Sequence, residues 1–517
     1  MHPLRLAVLL LPLTAACSSG GEHPETGAVE PGRSSGAVEE ESAARDERPN
    51  ILFVYADDHA ENAVSAYGSG LNATPNIDRL AEEGARFANS FVGNSICAPA
   101  RATVLTGLHS HAHGVMRNGH TFEPGQRTFP LALREAGYQT ALIGKWHLRS
   151  APEGFEHYEV LLGQGPYYNP EIQSPSGRRR VEGYTTEILT DLALRWLRED
   201  RDESRPFLLM VHHKAPHRRW LPGPRQLDLF ADVDLPEPPT LFDDYADRAP
   251  GAAAQEMTVA RHLDELDLKL TRPGELTDAQ YELWQASYGP RNEALRAAGL
   301  EGADLVRWKY QRYIKDYLRC IQAVDDGVGA LLDALDDQGL SDDTLVIYSS
   351  DQGFYLGEHG WYDKRWMYEE SLRTPLLVRW PETVAAGSTI DELVQNVDLA
   401  PTLLELAGLE VPEELHGQSL LPLLRGEKPA DWRDSIYYRY WEFPGPHAVP
   451  QHYGVRTARY KLIRYPELDA WELFDLERDP QERQSVHGRA AYEDVRADLE
   501  AELTRLAARY GDELPGT

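Results

Sequence analysis

The sequence predicts an α/β fold: a mainly parallel central sheet, followed by a smaller C-terminal subdomain built on an antiparallel sheet. Three observations predict it. Four apolar runs each end in a cluster of polar side chains, helical patterns lie between them, and beyond Arg425 the texture changes to short strands broken by turns. Strands that alternate with helices pair in parallel. Open sheets of this kind bind ligands in the crevice at the carboxyl ends of their strands.

In chain order, Arg5 precedes an apolar run from Leu6 to Leu13, followed by Thr14, Ala15, Ala16 and Cys17. The run is too short to span a bilayer and reads as an export signal over residues 1–17. It resembles a bacterial lipoprotein signal, with threonine at Thr14 in place of a large aliphatic residue. That implies a lipid on Cys17 as the link to a membrane, at the periplasm or cell surface; plain secretion is the alternative. Residues 18–48, rich in Gly, Ser, Glu and Pro, cannot bury enough surface to fold and read as a flexible tether.

The first apolar run, Asn50 to Ala56, leads straight into Asp57, Asp58 and His59. Tyr138 to Ile143 leads into Gly144, Lys145, Trp146 and His147. Pro206 to Val211 leads into His212, His213 and Lys214, with His217 close behind. Thr344 to Tyr348 leads into Ser349, Ser350, Asp351 and Gln352. Residues 75–83 and 185–198 carry helical patterns between these strands, and residues 49–425 form the main domain. Residues 426–517 hold short strand patterns near 434–441, 453–457, 460–464 and 472–475, then apolar residues at helical spacing from Ala491 to Tyr510.

Cys97, Ala98, Pro99, Ala100 and Arg101 follow a polar turn. Proline suits the first turn of a helix, and Gly107 can end the helix. Cys97 then stands at a helix N-terminus, where free N–H groups and the dipole favour an anion, and Arg101 lies one turn away on the same face. Asp57, Asp58, Asp351 and Gln352 offer hard oxygen donors, which suit Ca²⁺, or Mg²⁺, rather than zinc. Adjacent carboxylates at a strand end repel one another without a cation.

Composition sets the bounds. With 517 residues, 42% hydrophobic and 26% charged, the chain reads as an ordinary globular protein with a large core. The 52 Lys+Arg against 83 Asp+Glu give a net charge of −31, which excludes nucleic acid as a natural partner. An anionic substrate therefore needs positive charge concentrated at the site. With Cys17 lipidated and Cys97 in the site, Cys320 remains, in a helical pattern as a core residue, and no disulfide framework is available.

The stretch Cys97 to Arg101, with Thr103-Val104-Leu105-Thr106-Gly107, resembles the signature of the type I sulfatases, and the resemblance runs from about Pro49 to Glu482. It implies an alkaline-phosphatase-like sandwich and conversion of Cys97 to formylglycine by a maturing enzyme, a required partner. It also implies that Asp57, Asp58, Asp351, Gln352 and residue 97 hold the metal; the family often has Asn or His where this chain has Gln352. In the roles it implies, hydrated residue 97 is the nucleophile held by Arg101, and Lys145 and Lys364 bind sulfate oxygens. His217 protonates the leaving alcohol and His147 is the base that releases sulfate. The stretches Ser350 to Glu370 and His447 to Arg456 resemble bacterial N-acetylglucosamine-6-sulfatases. The substrate so implied is a carbohydrate sulfate, a 6-O-sulfated N-acetylhexosamine, with His213, His447 and His452 expected to face it. The alternatives are a phosphonate monoester hydrolase or phosphodiesterase on the same site, and a non-catalytic glycan-binding lipoprotein; the intact residue set disfavours the latter.

Overall fold

Each of the four long apolar runs forms a strand within two residues of its expected bounds. A computed structural model describes residues 48–381 and 383–515. The expected export signal, Cys17 and the tether up to residue 47 lie outside the described residues. Ten strands there form the main sheet: β1 (Asn50–Ala56), β2 (Ala85–Phe87), β3 (Gln139–Lys145), β4 (His157–Leu161), β5 (Glu171–Ser174), β6 (Gly177–Arg180), β7 (Phe207–His212), β8 (Thr344–Ser350), β9 (Leu376–Arg379) and β10 (Ser388–Ile390). Their order is β10-β2-β9-β8-β1-β7-β3-β4-β5-β6. The centre, β8-β1-β7-β3-β4, is parallel, whereas β9, β5 and β6 run antiparallel to their neighbours.

The central strands read as continuous apolar runs because helices cover both faces. From β1, Leu52 and Val54 enter a core shared with α1 (Pro75–Glu82), α3 (Thr185–Arg195) and the long α5 (Gly302–Asp337). Ile51, Phe53 and Tyr55 enter the opposite core, with Ala98, Ala102 and Leu105 of α2 (Cys97–Thr106). Cys320 is fully enclosed on α5, and Cys97 and Cys320 are unbridged. The helices Asp278–Ala298 (α4) and α5 fill a region whose sequence carried no chemistry-bearing strand end. Among the described residues no helix is long and apolar enough to cross a membrane.

The C-terminal strands form a separate antiparallel meander: β11 (Ser435–Tyr440), β12 (His452–Thr457), β13 (Tyr460–Tyr465) and β14 (Ala470–Asp475). One face packs on α6 (Glu493–Tyr510) through Leu499, Leu503 and Leu506. The other face, with Ile436, Tyr438 and Ile463, packs on Trp361, Trp366 and Tyr368.

The register of the parallel centre positions the site. Ala56 pairs with Ser350, Tyr55 with His212, and His212 with Gly144. The residues that follow therefore emerge in one row, with neighbouring strands about 4.8 Å apart. Gly144 has φ +111°, and a Cβ there would overlap the carbonyl oxygen of His212. Gly144→Ala is expected to destabilise the fold by about 3 kcal/mol or more. A lowered urea midpoint at unchanged m-value checks this.

Candidate active site

Side chains on a strand alternate between faces, so two consecutive aspartates cannot both reach one point from regular β-structure. Asp58 solves this with a left-handed backbone, φ 69°. Its amide donates to Asp351 Oδ1 at 3.0 Å, and Tyr317 on α5 donates to its carbonyl at 2.6 Å. One oxygen from each of Asp57, Asp58 and Asp351 thereby comes within 4.8 Å of the others, in a fully buried cluster.

Three bases face these three carboxylates. Arg101 donates from Nε to Asp351 Oδ2 at 3.1 Å, and its second nitrogen lies 3.0 Å from the same oxygen. Its third nitrogen donates to the Lys145 carbonyl at 3.0 Å, while the guanidinium lies over the ring of Tyr55. Lys145 pairs with Asp57, and Lys364 donates to both oxygens of Asp58 at 2.6 Å. Burial raises the Asp57 carboxyl, but Lys145, with Arg101 beside it, carries it well below the usual range. Burial raises Asp351 to about 8, with Asp57 adding to it against Arg101, and raises Asp58 to about 6 against Lys364.

Cys97 opens α2 as expected, and Gly107 closes it in the left-handed conformation, φ 68°. The helix end offers less to an anion than the sequence suggested. The Ala98 amide donates to Asn118 Oδ1 at 3.0 Å, Pro99 has no donor, and the Ala100 amide bonds Ile96. What remains is chiefly the dipole. Arg101 fixes Asp351 rather than bonding residue 97 itself. Burial, with Asp57 next, lifts the Cys97 thiol well above its ordinary range.

The donor set fits a divalent cation. Asp57 Oδ1 and Gln352 Oε1 are buried without hydrogen-bond partners among the described residues. Gln352 turns its amide nitrogen to Asp58, with Cys97 Sγ at 3.7 Å, so rotating the amide offers its oxygen at the same place. With all three carboxyls ionised, three acids balance three bases, and a divalent cation would leave the cluster positive.

The histidines separate by environment. His147, φ 59°, borders a cleft of about 700 Å³ with Asn118, Trp146 and Arg149, and burial followed by the charge of Lys145 lowers it to about 2. His217 places Nε2 at 3.8 Å from Asp58 Oδ2, while its Nδ1 bonds the Arg218 carbonyl. Burial and then Lys364 keep it well below its usual range.

The three expected sugar contacts fare differently. His213 is fully enclosed, neither ring nitrogen has a partner among the described residues, and burial lowers it to about 4. It presents no face to a ligand. His452 is likewise enclosed, its ring stacked between Trp366 and Tyr438. Its part is to brace the segment that carries Lys364, whose neighbour Arg365 accepts a hydrogen bond at its carbonyl from Tyr438. His447 does reach the site's edge, with Nε2 3.2 Å from Asp363, which pairs with Arg365. Sequence reasoning missed Asn118, Tyr55 and the Asp363–Arg365 pair; the last stood beside Lys364 and was the legible one.

A family model described as "Sulfatase" matches residues 49–409, and one described as "N-sulphoglucosamine sulphohydrolase, C-terminal" matches residues 357–509. An N-acetylglucosamine-6-O-sulfatase from Bacteroides thetaiotaomicron is 46% identical over 491 residues, 90% of this chain and 88% of the relative. A solved structure in complex with its substrate D-glucosamine-2-N,6-O-disulfate is 44% identical, with TM-score 0.89 over 90% of this chain and 99% of that one. A phosphonate monoester hydrolase of Agrobacterium radiobacter is 25% identical, with TM-score 0.69 over 90% and 96%.

Removing one base from the buried cluster leaves a carboxylate unpaired. Lys364→Met is expected to cost about 3–5 kcal/mol in a chelator and distinctly less in excess calcium. Urea unfolding under the two conditions reads the difference.

Proposed function

We propose that this chain, which belongs to the sulfatase family, removes the 6-O-sulfate of N-acetylglucosamine or a closely related N-acetylhexosamine in glycans. It is a sulfuric ester hydrolase; the sugar is the inference. One observation carries it: the Bacteroides relative named for that activity is 46% identical along nine-tenths of this chain.

Formylglycine made by oxidation of Cys97 would supply, once hydrated, an oxygen nucleophile, and a calcium ion held by Asp57, Asp58, Asp351, Gln352 and residue 97 would supply acidity and positive charge. The unmodified thiol is unsuited to attack, because burial keeps it protonated. A maturing enzyme is therefore part of the reading.

This chain's own side chains do the rest. The ammonium groups of Lys145 and Lys364 bind sulfate oxygens; a cation held by Asp57 and Asp58 would free them from these carboxylates. Arg101 keeps Asp351 in place. His217 Nε2 donates a proton to the leaving alcohol oxygen. Burial and then Lys364 hold this histidine neutral, and the negative charge of a bound ester raises it. His147, kept neutral beside Lys145, accepts the proton from residue 97 when sulfate departs. The row Asp363, Arg365 and His447 lies next to Lys364 and supports His447 as a contact for sugar hydroxyls.

The test uses protein whose residue-97 peptide has the mass expected for exchange of sulfur and two hydrogens for oxygen. With calcium, sulfate release from N-acetylglucosamine-6-sulfate is expected, faster than turnover of phosphonate monoesters or phosphodiesters. His217→Ala is expected to slow the sugar sulfate by about 10²–10⁴-fold. It should slow 4-nitrophenyl sulfate far less, since that leaving group departs without a proton. Release from aryl sulfates or phosphodiesters with none from any sulfated hexosamine contradicts the substrate.

A further inference from the structure

Lys214 is buried, only 5% exposed, and among the described residues no hydrogen bond or ion pair reaches its ammonium group. Its Nζ lies 4.8 Å from the centre of the Tyr167 ring, and the carboxylates of Asp57 and Glu275 act on it without a direct ion pair. A buried ammonium with no directly paired counter-ion weakens the fold. Burial, with Lys145 next, has already drawn Lys214 down to about 8. No step assigned above uses it.

The ammonium lines a cavity of about 320 Å³ together with Arg218, Arg219, Tyr167 and Glu275. Two of these are accounted for. Arg218 is held by Asp267 at 2.6 Å, and Glu275 accepts the Tyr167 amide at 3.0 Å and is raised by burial. Arg219, 40% exposed, sits with Asp264 at 3.0 Å and keeps its remaining donors on the rim. The cavity is tied to the leaving-group side of the site. The His217 amide donates to the Lys214 carbonyl at 3.0 Å, and Tyr167 donates to the His217 carbonyl at 2.6 Å. In a chain of net charge −31, a cavity that gathers Lys214, Arg218 and Arg219 around one carboxylate, Glu275, with no acid bonded directly to Lys214, is a seat for an anion.

We propose that Lys214, with Arg219 at the rim, forms a subsite for a second anionic group of the substrate, distinct from the sulfate being removed. The group is a sulfate or carboxylate, carried on the same sugar ring or on its neighbour. This rests on the carbohydrate-sulfatase reading and adds that the preferred substrate is doubly charged.

Three sugars test it: N-acetylglucosamine-6-sulfate, glucosamine-2-N,6-O-disulfate, and a uronic-acid disaccharide bearing the 6-sulfate. Lys214→Met is expected to lower kcat/KM for one doubly charged sugar by about tenfold more than for the first, mainly through KM. Lys214→Arg should recover much of that loss, and which sugar responds tells the same ring from its neighbour. Without ligand, Lys214→Met should also raise the urea midpoint, because it removes an unpaired buried charge. Equal losses on all three sugars, or no loss on any, overturn the subsite. If the unsubstituted protein releases sulfate from none of them, the catalytic reading fails. The subsite is then decided by calorimetric binding of glucosamine-2-N-sulfate, which Lys214→Met should weaken and which overturns the proposal if unchanged.

Discussion

The buried balance of Asp57, Asp58 and Asp351 against Arg101, Lys145 and Lys364 is the interaction on which the rest of this molecule depends. Six charged groups inside a protein are tolerated only when each is matched. Here the matching is done by elements far apart in the chain. Asp57 and Asp351 arrive by strand register, Asp58 by a left-handed turn, Arg101 by one turn of helix, and Lys364 on a loop that the C-terminal sheet supports. The balance is also what makes the site responsive. With its acids ionised the cluster is neutral and has no strong call on a sulfate ester, whereas a divalent cation would give it excess positive charge on a strongly acidic protein.

The C-terminal meander earns its place in this scheme through packing rather than chemistry. Trp361, Trp366 and Tyr368 follow or flank Lys364 and are enclosed against β11 and β13, with the His452 ring among them. A flexible lysine would lose much of its value to side-chain entropy. Held from behind by aromatic rings, Lys364 reaches Asp58 at a fixed distance. This explains why a histidine in a stretch similar to sugar-handling enzymes turns out to be a structural part.

Much of the fold was legible because parallel strands buried on both faces write themselves as apolar runs, and because their carboxyl ends carry the polar residues. Asp57, Asp58, Lys145 and Asp351 were readable for the same reason, Cys97 and Arg101 from the helix start, and Lys364 from the family resemblance; the structure gathers them. The antiparallel strands β5, β6 and β9 were not legible: β5 is short and partly exposed, β6 short and exposed, and β9, though buried, is only four residues long. Helix α4, interrupted by Pro290, left no mark of its own. His213 and His452 misled because sequence marks a histidine's presence and not its burial. The capping of Ala98 by Asn118, twenty residues on, depends on loop geometry that no local spacing encodes.

The most direct measurement is the affinity of the protein for inorganic sulfate, by calorimetry, in calcium and in chelator. The charge balance predicts binding with calcium present and weakening by at least an order of magnitude in chelator, where Lys145 and Lys364 remain occupied by Asp57 and Asp58. Equal affinity in both would show that the lysines are free without a cation, and would contradict the account of how this site comes to hold its substrate.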